Sequence, residues 1–412
     1  MLIEFTLNNY RSYRTAATLS LETGERLTKR NRENTFLIPG TKERILKSVA
    51  LFGANGSGKS TVIKGLALLK RLITQPTQAI GQELPASPFR LDQSSAQAPT
   101  TFNIVLTTAG YQYTYRLVYD RTTILGEQLK GKRLDGKSRQ RVIFERQRQD
   151  VTHGSKKLQE VGKLTRPNAL LLYQLQAANF GDAIRVFNWF QDDLIIFDER
   201  NVRDFAVFDN QFMTQPQVQR ELQDFLRAAD VNVTGLTYRE MPTATTGTTR
   251  YLFTQHKQFD AAGSVIGQIE LPLAEESTGT QRIVLIALAI IDSQRNGNQK
   301  TLVFDEFEEG LHAEMATSLL NLFNSEQNLN QVILATHQLT LLDADIRVDQ
   351  IYFTEKNYRG ESELYSLFDY GDAVARSDVA FSKRYQKGQF GATPVIQLAD
   401  FQRRLHGVGK DR

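Results

Sequence analysis

Cysteine is absent from the 412-residue chain, which excludes a disulfide framework, a thiolate zinc site and a Cys nucleophile. A reducing, cytoplasmic location is the expectation that follows. Long hydrophobic runs are also missing. The longest, Ile283 to Ile291, is about half of the ~18 residues a membrane span needs. Residues Met1 to Tyr13 lack the apolar centre of a signal peptide, so secreted and integral-membrane readings are set aside and no membrane partner is expected. Histidine is scarce, with five in the chain at spacings that form no metal-ligand motif. There is no internal repeat and no sustained heptad pattern. Nor does one sign of charge dominate: a net charge of +4 and a pI near 9.0 permit nucleic-acid contact without demanding it.

What is present is a globular composition, 41% apolar and 23% charged, in a chain long enough for two or three domains. Leu2 to Leu7 and Ile45 to Phe52 read as strands, and the second runs into a glycine-rich segment. A helix follows, with Val62, Ile63, Leu66 and Leu69 at helical spacing. Gln75 to Thr100 reads as a loop, and Thr101 to Phe144 returns to strand character. Between Leu170 and Asp230 the pattern is helical. A strand-like stretch near Tyr251 to Leu273 precedes an apolar helix, Gln281 to Ile291. Buried strands are predicted at Thr301 to Phe304 and Val332 to Ala335, separated by a helix from Ala313 to Phe323. Strands alternating with helices at both ends of the chain imply an α/β core split by an insertion.

The glycine-rich segment Gly53-Ala54-Asn55-Gly56-Ser57-Gly58-Lys59-Ser60-Thr61 matches the phosphate-loop pattern without a mismatch. Its glycines let backbone N–H groups curl around phosphates, and the helix that follows offers its positive end. Lys59 is expected to reach the β- and γ-phosphates and Ser60 to ligate Mg²⁺. The strand Thr301 to Phe304 ends in Asp305 and Glu306. Asp305 is expected to hold Mg²⁺, and Glu306 to act as catalytic base on the attacking water. Capping of the next helix is the plainer explanation for an acid there, and Glu308 and Glu309 compete for the base. Ser277-Thr278-Gly279 precedes the apolar helix. It reads either as simple helix initiation or as a helix end meeting a phosphate held by another subunit. His337, after Val332 to Ala335, is either a polar strand end or a catalytic sensor of the γ-phosphate.

The ordered set of phosphate loop, Ser277-Thr278-Gly279-Thr280, Leu302 to Glu306 and Ala335-Thr336-His337 resembles the ABC-type ATPase head shared by SMC, RecF and OLD proteins. Asn9-Tyr10-Arg11-Ser12 is similar to that group's N-terminal motif. The resemblance implies an α/β P-loop NTPase fold: an ABC-type ATPase head with an inserted β-rich and helical region and no long coiled coil. It further implies that Arg11 and Ser12 lie near the nucleotide, that ATP and Mg²⁺ are the cofactors, and that His337 is the switch histidine. Ser277, Thr278 and Gly279 would act in trans across a head-to-head dimer or higher homo-oligomer, with Gly310-Leu311-His312 lining the interface. The signature departs from the commoner Ser-Gly-Gly-Gln. The glutamine loop has no recognisable counterpart, Gln93 being the nearest candidate. In this frame residues 1–74 form the N-terminal lobe with the phosphate loop, and 75–165 a β-rich part with a basic segment. Residues 166–260 form an inserted helical region, and 261–412 the C-terminal lobe. Phe381 to Pro394 is similar to the tail of AbiLi/RloA-like ATP-binding proteins of bacterial abortive-infection loci.

Phosphate loop and signature are separated by Thr61 through Glu276, 216 residues, too few and too poor in heptads for an SMC-type arm. Only 75 residues follow His337, less than a Toprim-type nuclease would need beside completing the core. The expectation is an ATP-dependent sensor or scaffold in anti-phage defence that controls a separately encoded effector, a Toprim-type nuclease. A RecF-like repair ATPase is the alternative, and a transporter ATPase subunit ranks last. Lys130 to Arg166 holds 12 Lys and Arg against 4 Asp and Glu. It reads either as a solvated hairpin or as a nucleic-acid contact. Tyr111, Tyr113, Tyr115 and Tyr119 share one strand face and are expected to pack against neighbouring strands rather than stack on bases.

Overall fold

The computed structural model describes residues 1–27, 31–197, 208, 210–243, 247–297, 299–371 and 380–392. Its centre is a six-stranded sheet. Across its width the order is Leu194–Phe197, Thr301–Phe304, Gln331–Ala335, Ser48–Gly53, Ile351–Lys356 and Ser362–Ser366. The first five strands are parallel and the last is antiparallel. These strands are nearly all apolar because both faces are covered. Val49 and Leu51 enter one core, while Ala50 and Phe52 enter the other. Val303 and Ile333 follow the first pair, and Leu302, Phe304, Val332 and Leu334 the second.

The first core is closed by a seven-stranded antiparallel sheet. Its order is Asp150–His153, Arg141–Gln147, Ile124–Arg133, Tyr111–Tyr119, Thr100–Thr108, Leu2–Asn8 and Ala17–Ser20. The helix Lys59–Thr74 contributes Val62, Ile63, Leu66 and Leu69 to this core. Tyr113, Tyr115 and Tyr119 are buried in it too, so the tyrosine stripe is packing surface, with Tyr111 half-buried at its end.

The second core lies under the helices Pro216–Ala228, Thr278–Asn296 and Ala313–Asn324. Thr278–Asn296 is apolar around its circumference from Ile283 to Ile291 because it is enclosed on all sides. It stops at Gly297, whose φ of 65° is the left-handed cap that glycine adopts freely. A three-stranded sheet, Gly235–Thr243, Gly247–Phe259 and Val265–Pro272, leads into it. Thr254 Oγ1 donates to the Glu276 carboxylate (2.6 Å), which also bonds His256 Nε2 (2.6 Å), fastening this sheet to the start of the helix.

Leu170 to Asp230 is not helical throughout. Leu194–Phe197 is an edge strand of the central sheet, pairing in parallel with Thr301–Phe304. Four apolar residues carry no period that separates a strand from a helix turn. The loop read over Gln75 to Thr100 contains a short helix, Gln93–Gln97, capped by Asp92, whose carboxylate accepts from the Ser95 N–H (2.8 Å). In the tail, Tyr385 and Phe390 stack on Phe353 at 5.5 Å each, covering the strand Ile351–Lys356. Thr393 and Pro394 lie outside the described residues. Among the described residues, no helix is long and apolar enough to cross a membrane. The architecture is an α/β fold in which a glycine-rich loop joins a central parallel strand to a helix, and among the described residues no helix is long enough to form a coiled-coil arm.

Candidate nucleotide site

The parallel strands of the central sheet all end at one edge, the place where open α/β sheets bind ligands. A cleft of 630 Å³ lies there. Residues Asn55 through Thr61 line it, together with Arg11, Ser12, Lys64, Glu306, Glu308, Glu309, His337 and Lys356.

The phosphate loop owes its shape to glycines. Gly56 and Gly58 have φ of 74° and 128°, and a Cβ on Gly58 would sit 2.7 Å from Ser362 Oγ. The loop is braced from behind by Ser362, whose hydroxyl donates to the Ser57 carbonyl (2.6 Å). Gly53 and Ala54 do not line the cleft. Their carbonyls instead accept from the Lys59 ammonium at 2.7 and 3.1 Å. Burial pulls the Lys59 pKa down to about 8, against the opposing pull of Glu308, Asp305 and Glu306. Ser60 Oγ donates to Asp305 Oδ1 (2.9 Å). A hydroxyl and a carboxylate converging beside the loop form the hard-oxygen donor pair that suits Mg²⁺.

Glu306 is exposed and has a φ of 50°, a left-handed conformation uncommon without glycine. What holds it there is Arg282, from the first turns of the apolar helix. The buried Arg282 guanidinium donates to the carbonyls of Asp305 (3.3 Å), Phe307 (3.2 Å), Glu309 (3.2 Å) and Glu306, and to the Glu309 carboxylate (2.9 Å). Glu308 Oε1 accepts the His337 N–H (2.6 Å), while its Oε2 is buried and has no hydrogen-bond partner among the described residues. An orphan oxygen at the cleft wall is a place for a donor that the protein itself does not supply.

His337 Nδ1 lies 3.3 Å from the Lys59 ammonium. Burial, and then the charge of Lys59, lower the imidazole pKa below its usual 6.5, so the ring is neutral at pH 7. Arg11 and Ser12 reach the cleft from a turn held by Asn9. The Asn9 amide donates to the carbonyls of Ser95, Ala98 and Pro99, and its oxygen accepts from Phe89 N–H. Arg11 N–H donates to the Ser87 carbonyl (2.7 Å), and Ser12 Oγ is 3.5 Å from Thr61 Oγ1.

Ser277 caps the helix Thr278–Asn296, its hydroxyl accepting from the Thr280 N–H (3.1 Å). Ser277 and Thr278 are exposed, and neither they nor Gly279 line this chain's own cleft. Gly279 is pressed on Gly310, where a Cβ would stand 2.2 Å from the Gly310 carbonyl. Only a glycine allows that approach. Gln93 is exposed on its short helix and does not line the cleft.

Sequence reasoning missed Arg282, Lys64 and Lys356. Arg282 left a signal as the one charged residue between Gln281 and Ile291. Lys356 left none, because it reaches the cleft only through its place at the end of a strand beside the phosphate loop.

Over residues 48–228 and 250–343 the chain matches the family described as "AAA domain, putative AbiEii toxin, Type IV TA system". No curated protein matches it. Among solved structures it is similar to the SMC head domain from Thermotoga maritima, with 13% identity, a TM-score of 0.40, and coverage of 89% of this chain and 98% of that one. The SMC head bound to the C-winged helix domain of ScpA gives 12% identity, a TM-score of 0.41 and coverage of 89% and 97%. The Pyrococcus furiosus SMC head with an extended coiled coil, bound to the C-terminal domain of ScpA, gives 11%, 0.40, 94% and 98%.

Proposed function

This chain belongs to that AAA-domain family, and from this premise we propose an ABC-type ATPase that binds ATP with Mg²⁺ and hydrolyses it between two copies of itself. The observation that carries the reading is convergence. Three strand ends bring Asn55 to Thr61 of the phosphate loop, Glu306 and His337 into one cleft, with Asp305 bonded to Ser60 of that loop. The loop N–H groups and Lys59 would hold the β- and γ-phosphates, with Arg11 and Ser12 beside them. Ser60 and Asp305 would hold Mg²⁺, which when bound neutralises phosphate charge and orients the γ-phosphoryl group. Glu306 takes the proton of the attacking water. Neutral His337 would hydrogen-bond the γ-phosphate.

Ser277 and Thr278 are exposed and, like Gly279, do not line their own cleft, which supports their use in trans on a partner's nucleotide. The assembly is then a head-to-head dimer or a higher homo-oligomer. Its role, on this reading, is that of a cytoplasmic sensor or scaffold controlling a separately encoded effector, a Toprim-type nuclease, in anti-phage defence. The toxin–antitoxin context in the family description and the AbiLi/RloA-like tail support that role.

Glu306→Gln is the test. It should retain ATP binding, lose about 10²-fold or more in turnover, and pair in ATP and Mg²⁺ by light scattering. Turnover at the wild-type rate rejects Glu306 as the base. Affinity purification of Glu306→Gln from its host should recover a nuclease. Recovery of recombination proteins and DNA instead favours the RecF-like alternative.

A further inference from the structure

A second cavity, of 320 Å³, shares no lining residue with the nucleotide cleft. It opens in the antiparallel sheet where Ile124–Arg133 turns back into Arg141–Gln147. Lys132, Arg133, Arg139 and Arg141 line it, against a single carboxylate, Asp182. That carboxylate is already engaged, accepting from Tyr113 OH (2.7 Å) and the Arg185 guanidinium (2.6 Å). Of the four lining cations, only Arg141 makes an ion pair among the described residues, with Asp182 at 3.4 Å. Lys132 sits in the field of the Glu22 carboxylate, so the excess positive charge of the slot rests on Arg133 and Arg139.

Its walls are built rather than incidental. The turn at its mouth is set by Asp135, whose carboxylate accepts from the N–H groups of Lys137 (3.0 Å) and Ser138 (2.8 Å). At Gly131 the slot has backbone for a wall. A Cβ there would meet Ile143 Cδ1 at 2.9 Å and the Tyr113 ring at 3.0 Å. Tyr111 closes one side. Its ring stacks on Tyr113 with centroids 5.9 Å apart, and the Arg185 guanidinium lies 4.4 Å from its centroid, so the ring is held in place.

We propose that this slot binds single-stranded nucleic acid, with a phosphodiester among Arg133, Arg139 and Arg141 and a base against Tyr111. A cationic concavity with an aromatic wall is the combination that tracks a flexible strand, since every base offers a stacking face. The volume lies near the bottom of the range for small-ligand pockets, roughly 300–1,000 Å³. It admits one nucleotide unit and not a duplex.

The experiment is fluorescence anisotropy of the full chain, without ATP, using 15-nucleotide oligothymidylate and oligouridylate across 50 to 200 mM salt. The one phosphodiester held in the slot predicts a log–log salt slope of about −0.7 on a single strand. The double variant Arg133→Glu, Arg139→Glu should bind at least tenfold more weakly with that slope close to zero. Both positions are exposed, and an unchanged melting temperature verifies folding. Lys137→Glu, on the same turn but outside the slot, should change affinity less than threefold. Three results overturn the proposal: no oligonucleotide binding at low salt, an equal loss in Lys137→Glu, or unchanged binding in the double variant. Displacement by thymidine monophosphate at its own equal affinity assigns the slot to free nucleotides instead. Displacement by oligoglutamate as effective as by oligonucleotide assigns it to an acidic protein segment.

Discussion

The antiparallel sheet and the nucleotide cleft each take opposite charges out of water, and they treat them differently. In the sheet, Glu127 and Arg146 are fully buried, 3.7 Å apart. Glu127 accepts from the N–H groups of Leu171 and Leu172 and from Tyr115 OH. Arg146 donates to the carbonyls of Arg148, Ala169 and Arg166. The chain itself supplies both groups with partners. In the cleft, Lys59 leans on two loop carbonyls, and Glu308 keeps an oxygen with no hydrogen-bond partner among the described residues. The difference separates architecture from function: a buried charge satisfied within the fold holds the fold, and one left incomplete at a cleft awaits a ligand.

The contrast can be broken most directly by deleting one charge from each region. Glu127→Ala strands Arg146 in the core and should lower unfolding free energy by about 3–5 kcal/mol in a urea titration. Lys59→Ala should cost less than about 1 kcal/mol, since the desolvation of its ammonium offsets what its two carbonyl bonds contribute, while abolishing ATP binding measured by calorimetry. Equal losses of stability in the two variants would erase the distinction.

A smaller effect sharpens it within the cleft's own support. Gly279→Ala pushes a Cβ against the Gly310 carbonyl and should cost about 1–3 kcal/mol. ATP-dependent pairing of subunits should fall more than ATP binding does. An unchanged melting temperature would mean that the signature helix and the Gly310 loop separate freely.

The smallest effect is electrostatic. With its pKa lowered below 6.5, His337 binds fewer protons in the folded chain than in the unfolded one. Stability from this group is therefore complete above pH 6.5 and is lost as pH falls through the lowered value. His337→Gln should flatten the drop in melting temperature between pH 7 and pH 5 by about half a degree, on the order of a few tenths of a kcal/mol. A steeper drop in the variant would reverse the sign assigned to the burial of His337 and to the charge of Lys59 beside it.

Much of the cleft was legible because its parts are short contiguous motifs whose backbone geometry is local. The phosphate loop needs glycines at positive φ followed by a helix, and both are written into nine consecutive residues. Asp305, Glu306 and His337 were legible as polar residues closing apolar strands. Arg282 was visible only as an odd charge, since its targets at Asp305 to Glu309 lie on another element. The strand Leu194–Phe197 was hidden by its length. The cationic slot was half-visible: the basic run was plain, but its meeting with Tyr111 depends on sheet register. Tyr111 pairs with Arg133, and Gly131 with Arg141.

By itself, then, the sequence determined the phosphate loop, the enclosed helix Thr278–Asn296 and the alternating tyrosine face, because backbone freedom and side-chain period act over a few residues. Only the tertiary structure decided strand order. Gln331–Ala335 lies between the carboxylate strand and the phosphate-loop strand, and Ser60 meets Asp305 across 245 residues of chain. That choice rests on covering both faces of one sheet at once, and no local stretch of sequence contains it.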